Sequence, residues 1–150
     1  MNAQFIKTPE KRRIIEQLNE QFGIQELPFL LIESGKEKIR GFSGHLSKDE
    51  IIELGKILNI EVIGLYILKK EDNLFRLSLD ATHLLKKQIT KNIIEINDAQ
   101  LQEWIRGHDL DTKMQKGIVV IKNHDDFFGC GRSSGDKIFN HIPRERRIKK

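Results

Sequence analysis

An α+β fold is predicted for this chain, with an antiparallel sheet covered by helices over residues 1–79, then a small β-barrel over residues 80–150 that ends in a basic tail. Three observations lead there. Before residue 80, helical and strand-like periodicities alternate in the order helix, hairpin, helix, hairpin, which is the pattern of a sheet with helices packed on it. From residue 80 the texture changes to "ATHLLKKQITKNIIEIND", where polar and basic residues interrupt short apolar runs. Beyond Lys116, three strand-length runs are separated by "NHDD" and "GD", which is tight-turn chemistry. Short strands so joined, with one helix, predict a closed or nearly closed barrel.

The first helix is "TPEKRRIIEQLNEQFG": Thr8 is the expected cap, Pro9 suits the first helical position, and Gly23 suits a left-handed stop. Ile14, Ile15, Leu18 and Phe22 fall on one face, and burying each contributes about 1.5–3 kcal/mol, so that face needs a partner surface. "PFLLIESGKEKIRGFS" predicts two extended runs around a turn at Gly35, with Gly41 weakening the second. In "LSKDEIIELGKILN", Ser47 and Glu50 make a capping box, and Leu46 with Ile51 a hydrophobic staple. "IEVIGLYILKK" and "LFRLSLDA" make a second hairpin about "EDN".

In the second half, "NIIEI" is a short strand. "NDAQLQEWIRG" is a short helix capped by Asn97 with Gln100 three residues on, stopped at Gly107, and burying Leu101, Trp104 and Ile105. "GIVVIK", "FFGCGRSS" and "KIFNHI" are the remaining strands.

Composition narrows the function classes. A chain of 150 residues, 38% hydrophobic and 32% charged, is globular, and no apolar run approaches the roughly 20 residues of a membrane span. The start, "MNAQFIKTPEKRR", lacks the apolar core of a secretory or anchor signal, and one cysteine excludes an internal disulfide, so a soluble, cytoplasmic protein is expected. Net charge is +4, and the stretch Arg144 to Lys150 carries five basic residues against Glu145, which leaves the rest of the chain formally neutral. A concentrated positive end on a neutral body predicts an anion-binding footprint.

Candidate chemistry is sparse. Cys130, between Gly129 and Gly131, has no helix N-terminus or recognisable triad to activate it, and fits a small inward-facing position. The two glycines at alternate strand positions are expected to strip one face of side chains. That admits either the helix carrying Trp104 or a nucleic-acid backbone. Cys130 with His108, His124 and His141 lacks the paired spacings of a zinc site, so no metal is expected, and His45 and His83 fit surface or turn positions. "GCGRSSG" lacks the lysine and the strand-to-helix context of a phosphate-cradling loop, and no cofactor is expected. Asp125 and Asp126 fit a turn. What remains is cationic: Lys86, Lys87 and Lys91 in the entry to the second half, Arg132 and Lys137 about the last hairpin, and the tail, together able to line one groove.

These residues bear a resemblance. "ITKNIIEINDAQLQEWIRGHDL" followed by "GIVVIKNHDDFFGCGRSSGDKIFNHIPRERR" resembles the PUA or PUA-like RNA-binding module at the C-terminus of Sun-family RNA cytosine methyltransferases, particularly archaeal forms, over about residues 80–147. Thr90-Lys91-Asn92, the helix ending Arg106-Gly107, the strand with Gly129 and Gly131, Gly135-Asp136, and Asn140 before Pro143 carry it. The first half is similar, by element order, to the small domain preceding this module in those enzymes and in Nip-type ribosome-assembly factors. The methyltransferase core, with its glycine-rich cofactor site and Pro-Cys nucleophile, has no counterpart in this sequence.

The resemblance implies a PUA-like barrel that grips structured RNA, tRNA or rRNA, without catalysis, in RNA modification or ribosome biogenesis. It further implies a separate RNA-modifying enzyme or pre-ribosomal particle as partner. The contact candidates are Lys86, Lys87, Lys91, Arg132, Lys137, Arg144, Arg146 and Arg147 for phosphates, Asn140 for a base edge or hydroxyl, and Gly129 and Gly131 for close approach. The alternative is a protein-interaction subunit that makes no RNA contact.

Overall fold

The computed structural model describes residues 4–33, 35, 37–42, 47–57 and 64–149. A five-stranded antiparallel sheet in the order β1-β2-β3-β4-β5 comes first. It is built from β1 (Gln4–Phe5), β2 (Leu30–Glu33), β3 (Lys38–Phe42), β4 (Leu65–Glu71) and β5 (Leu74–Leu77). Helices α1 (Thr8–Phe22) and α2 (Lys48–Ile57) fall between these strands in sequence. Helix α3 (Leu79–Leu84) and a 3₁₀ turn at Lys86–Gln88 lead to a second sheet in the order β6-β7-β8-β9, made of β6 (Ile93–Glu95), β7 (Gly117–Asn123), β8 (Asp126–Ser133) and β9 (Ile138–Asn140), with α4 (Asp98–Ile105) after β6.

Local chemistry explains the ends of these elements. α1 starts one residue earlier than the sequence suggests: Lys7 is the cap, so Thr8 is already helical and caps nothing. Its other end is as predicted, with Gly23 left-handed at φ 84°. Ser47 and Glu50 exchange backbone and side-chain hydrogen bonds at 3.2 Å each, while Leu46 of the expected staple lies outside the described residues. Asn97 and Gln100 form the second capping box at 2.8 and 2.9 Å. The β4–β5 turn places Asp72 and Asn73 at φ 48° and 66°, the left-handed pair that a tight hairpin requires.

Two expectations need correction. The run "LFRLSLDA" is strand only to Leu77. Ser78 then accepts from the Ala81 amide at 3.0 Å and starts α3, so the apolar alternation continues past the strand into a helix. The second sheet is not closed into a barrel. β6 runs parallel to β7, and beyond β9 the sheet is continued only by the bridge between Leu110 and Ile138.

The two faces of the second sheet meet different cores. Ile118, Val120 and Cys130 pack with Leu18, Phe22, Leu68, Phe75 and Leu77 of the first half in one continuous apolar cluster. Val119, Ile121 and Ile138 face the other way, onto fully buried Trp104. Strand alternation assigns the faces, since successive side chains point to opposite sides. The expected boundary near residue 80 therefore falls inside α3, whose Ala81 is itself part of the shared cluster.

Hydrogen bonds reinforce the junction. The Thr90 and Lys91 amides donate to Phe22 O at 2.8 and 3.2 Å, and Lys91 Nζ to Asn19 O at 3.3 Å. The Phe22 carbonyl is one that the last turn of α1 leaves without an intrahelical partner, whereas Asn19 O also accepts from the Gly23 amide at 2.9 Å. Gln88 Oε1 accepts from the Gln25 and Glu26 amides at 2.8 and 3.0 Å.

Candidate nucleic-acid interface

The cations that the sequence singles out do not line one groove. Lys86 Nζ lies 2.9 Å from Asp126 at the start of β8, whereas Arg132 lies six residues further along that strand, about 20 Å away at 3.3 Å per residue. Arg132 spans both halves, with Nη1 2.7 Å from Glu71 and Nη2 2.9 Å from Asp72 of the β4–β5 hairpin. Arg146 makes a bidentate pair with Asp80 at 2.8 and 3.0 Å, and that carboxylate holds its guanidinium more firmly protonated. Acids thus occupy three of the predicted phosphate ligands. The side chains of Lys87, Lys137 and Arg144 have no polar partner among the described residues.

Asn140 is committed to the fold. Its Nδ2 donates to Trp104 O at 2.7 Å and His108 O at 2.9 Å, and its Oδ1 accepts from the Ile142 amide at 2.8 Å. The glycines do not share a bare face. A side chain at Gly131 would meet Ile138 Cγ2 at 2.5 Å, Trp104 Cη2 at 2.8 Å and Phe139 O at 2.9 Å, so protein already fills that gap. Gly129, at φ 81°, faces Leu79 of α3, and its amide donates to Thr82 Oγ1 at 3.1 Å.

Cys130 is buried, and desolvation pushes its thiol up to about 12, with a backbone hydrogen bond from Leu77 only partly opposing this. It is a core atom without nucleophilic character at neutral pH. Among the described residues no group of three or more His, Cys, Asp or Glu side chains gathers in metal-binding geometry, and no helix is long and apolar enough to cross a membrane.

A basic cleft does form, from residues that only partly coincide with the predicted ones. The C-terminal segment folds back over the end of α4, with the Ile148 amide donating to Ile105 O at 2.8 Å. Between them lies a cavity of about 710 Å³ lined by Arg106, His108, Arg144, Glu145, Arg147, Ile148 and Lys149. Four cations face one carboxylate there. Arg147 is held in place by its Nε, which donates to Ile142 O at 2.9 Å, and its side chain lies across Gly107. A Cβ at Gly107 would push that flexible side chain out of its place, and φ is 92°, so it is the backbone conformation that calls for glycine.

His108 hydrogen-bonds Glu103, which holds the Glu103 carboxyl below its ordinary range. Arg106 sits 4.0 Å from the same carboxylate, at the outer limit of an ion pair. Sequence reasoning used Arg106-Gly107 only as a helix end, missed Arg106 and His108 as cleft residues, and had Lys149 only as part of the basic tail. The signal available was a basic residue beside a helix-stop glycine in a chain that ends in more basic residues.

The family model described as the Methyltransferase RsmF PUA domain matches residues 91–148, which contain α4, the second sheet and most of the cleft. These residues are similar to a PUA module. The similarity to known proteins extends beyond it: the Ribosomal RNA small subunit methyltransferase F of Vibrio cholerae serotype O1 is 25% identical over 138 residues, and that of Psychromonas ingrahamii 26% over 143. Each match covers 91% of this chain, and the chain spans 28% of the length of these curated relatives.

Solved structures agree on the fold. A conserved PUA domain protein from Thermoplasma acidophilum superposes with a TM-score of 0.63 at 14% identity, covering 95% of this chain and 94% of that one. A hypothetical protein from the hyperthermophilic archaeon Pyrococcus horikoshii gives 0.57 at 10%, covering 93% of each. The PUA module and the α+β half that precedes it are thus matched together as one arrangement.

Proposed function

We propose that this chain is a non-catalytic RNA-binding protein acting in RNA modification or ribosome biogenesis, and that it takes structured RNA, tRNA or rRNA, by its phosphates in the cleft between α4 and the C-terminal segment. The observation that carries this reading is the set Arg106, Arg144, Arg147 and Lys149 around one cavity against the single carboxylate of Glu145. The Arg144 and Arg147 guanidiniums, whose terminal nitrogens meet no acid among the described residues, suit phosphate oxygens, and an A-form helix is read through phosphates and hydroxyls more than base edges. Similarity to methyltransferases that act on ribosomal RNA, by name, supports RNA as the polyanion. The buried, protonated thiol of Cys130 supports a binding role over a catalytic one.

In this reading Arg132 clamps the two halves, Arg146 ties the C-terminal segment to α3, Lys91 and Asn140 secure the fold, and Arg144 and Arg147 remain as phosphate ligands from the sequence-derived set. Four phosphate contacts give a slope of log K against log salt of about −2.8 to −3.6, so binding weakens about 50- to 150-fold between 50 and 200 mM salt. Fluorescence anisotropy with labelled tRNA and an rRNA fragment measures it. A flat salt response removes the phosphate-binding reading and leaves a protein-interaction subunit as the better account.

A further inference from the structure

We infer that the outer face of β9, centred on Phe139, is a stacking site for one unpaired RNA nucleotide; this rests on the RNA-binding reading and adds the kind of RNA element recognised. The register fixes the geometry. Arg132 pairs with Phe139 across β8 and β9, so their side chains stand on the same face, and Lys137 and His141 share it by alternation. Toward the sheet centre this face is core, since Ile118, Val120 and Cys130 are covered by the first half. The cover stops before the edge, and Phe139 is left 42% exposed while Trp104 and Phe127 of the same module are buried.

One exposed aromatic is ordinary on a protein surface. Its surroundings are what select a ligand. Arg132 stands beside the ring, oriented by Glu71 and Asp72, and Lys137 lies two residues before Phe139, its ammonium without a polar partner among the described residues. The field at neighbouring His141 comes from Arg76, Arg132 and Lys69 against Glu71, so cations outnumber acids there too. A flat apolar ring beside the unpaired Lys137 ammonium matches a nucleotide, with the base on the ring and the phosphate on Lys137, while Arg132 stays with Glu71 and Asp72. Duplex RNA keeps its bases stacked on each other, so the site selects an unpaired one.

The test uses the full chain with two probes, a 12-nucleotide oligoadenylate and a blunt RNA hairpin, both by anisotropy. Phe139→Ala is expected to weaken oligoadenylate binding about tenfold or more and leave the hairpin unchanged. Phe139→Leu, which keeps the apolar bulk without the π face, is expected to behave like Phe139→Ala, and Phe139→Trp to restore binding. The new indole should be quenched by the bound base, while Trp104, 0% exposed, stays silent. Equal oligoadenylate affinity in wild type and Phe139→Leu overturns the stacking site while the cleft reading stands. Equal loss on both probes overturns the preference for unpaired nucleotides, and no binding of either probe by the wild type overturns both readings.

Discussion

Replacing Gly131 by alanine decides what the glycine gap in β8 is for. The new Cβ would lie 2.5 Å from Ile138 Cγ2, 2.8 Å from Trp104 Cη2 and 2.9 Å from Phe139 O, against about 3.5–4.0 Å for an ordinary carbon contact. Neighbours must therefore retreat by about 1 Å, and none is free to do so. Phe139 belongs to the β8–β9 ladder, and the Trp104 ring is anchored by Nε1, which donates to Phe128 O at 2.7 Å. Overpacking of this kind costs about 1–3 kcal/mol, and two of the three contacts being nearly immobile places this case at about 2–3. Alanine recovers about 0.5–1 kcal/mol of strand propensity, which leaves a net loss of about 2.

For a chain of this size that loss lowers Tm by about 4–8 °C and the urea midpoint by about 1 M. Trp104 is the sole tryptophan and fully buried, so its emission reports the transition directly. Gly129→Ala is the control: its nearest neighbour is Leu79 at 3.7 Å, so the strain there is backbone only, at φ 81°. Asparagine, which tolerates that conformation, should be milder than alanine at position 129 and worse at 131. An unchanged midpoint for Gly131→Ala together with weakened RNA binding would refute the packing argument and return the gap to a ligand.

Other outcomes follow from the same geometry. The Arg144 and Lys149 side chains have no polar partner among the described residues, so Arg144→Ala and Lys149→Ala should each leave the unfolding free energy within about 0.5 kcal/mol of wild type while flattening the salt slope of RNA binding by about 0.7–0.9. With its thiol at about 12, Cys130 is about one part in ten thousand thiolate at pH 8, so a disulfide reagent should modify it only at the rate of opening, and promptly in denaturant. Burial, then Arg76, lowers the pKa of His141, whose Nδ1 accepts from Arg76 at 2.8 Å and whose Nε2 is buried without a partner. The unfolded chain then binds a proton that the folded one refuses. Stability should accordingly be full above about pH 6.5 and fall as pH drops below it, and His141→Gln should flatten that part of the Tm profile.

Local chemistry was legible and long-range pairing was not. The capping boxes at Ser47 and Asn97, the left-handed stop at Gly23 and the hairpin turns depend on residues within four positions of each other, so the chain spells them out directly. α3 was hidden because the alternation of Phe75, Leu77 and Leu79 runs through the strand end, and the cap at Ser78 has no acidic partner three residues on to announce it. The parallel pairing of β6 with β7 and the open sheet depend on where α4 returns the chain. At the candidate site, the basic tail was readable from composition. The neutralisation of Arg132 and Arg146 was not, since Glu71 and Asp80 are 61 and 66 residues away. Arg106 joins the cleft only because the last residues fold back onto α4.

The shared cluster of Cys130, Val120, Leu68 and Phe75 bears on how such a module can be inherited. A recombination event that moved residues 91–148 to a new host would carry along a sheet with one greasy, unclothed side, and the recipient would have to supply a matching surface. Both halves are therefore expected to travel through genomes as a couple, with substitutions on one side of the seam answered by compensating ones on the other.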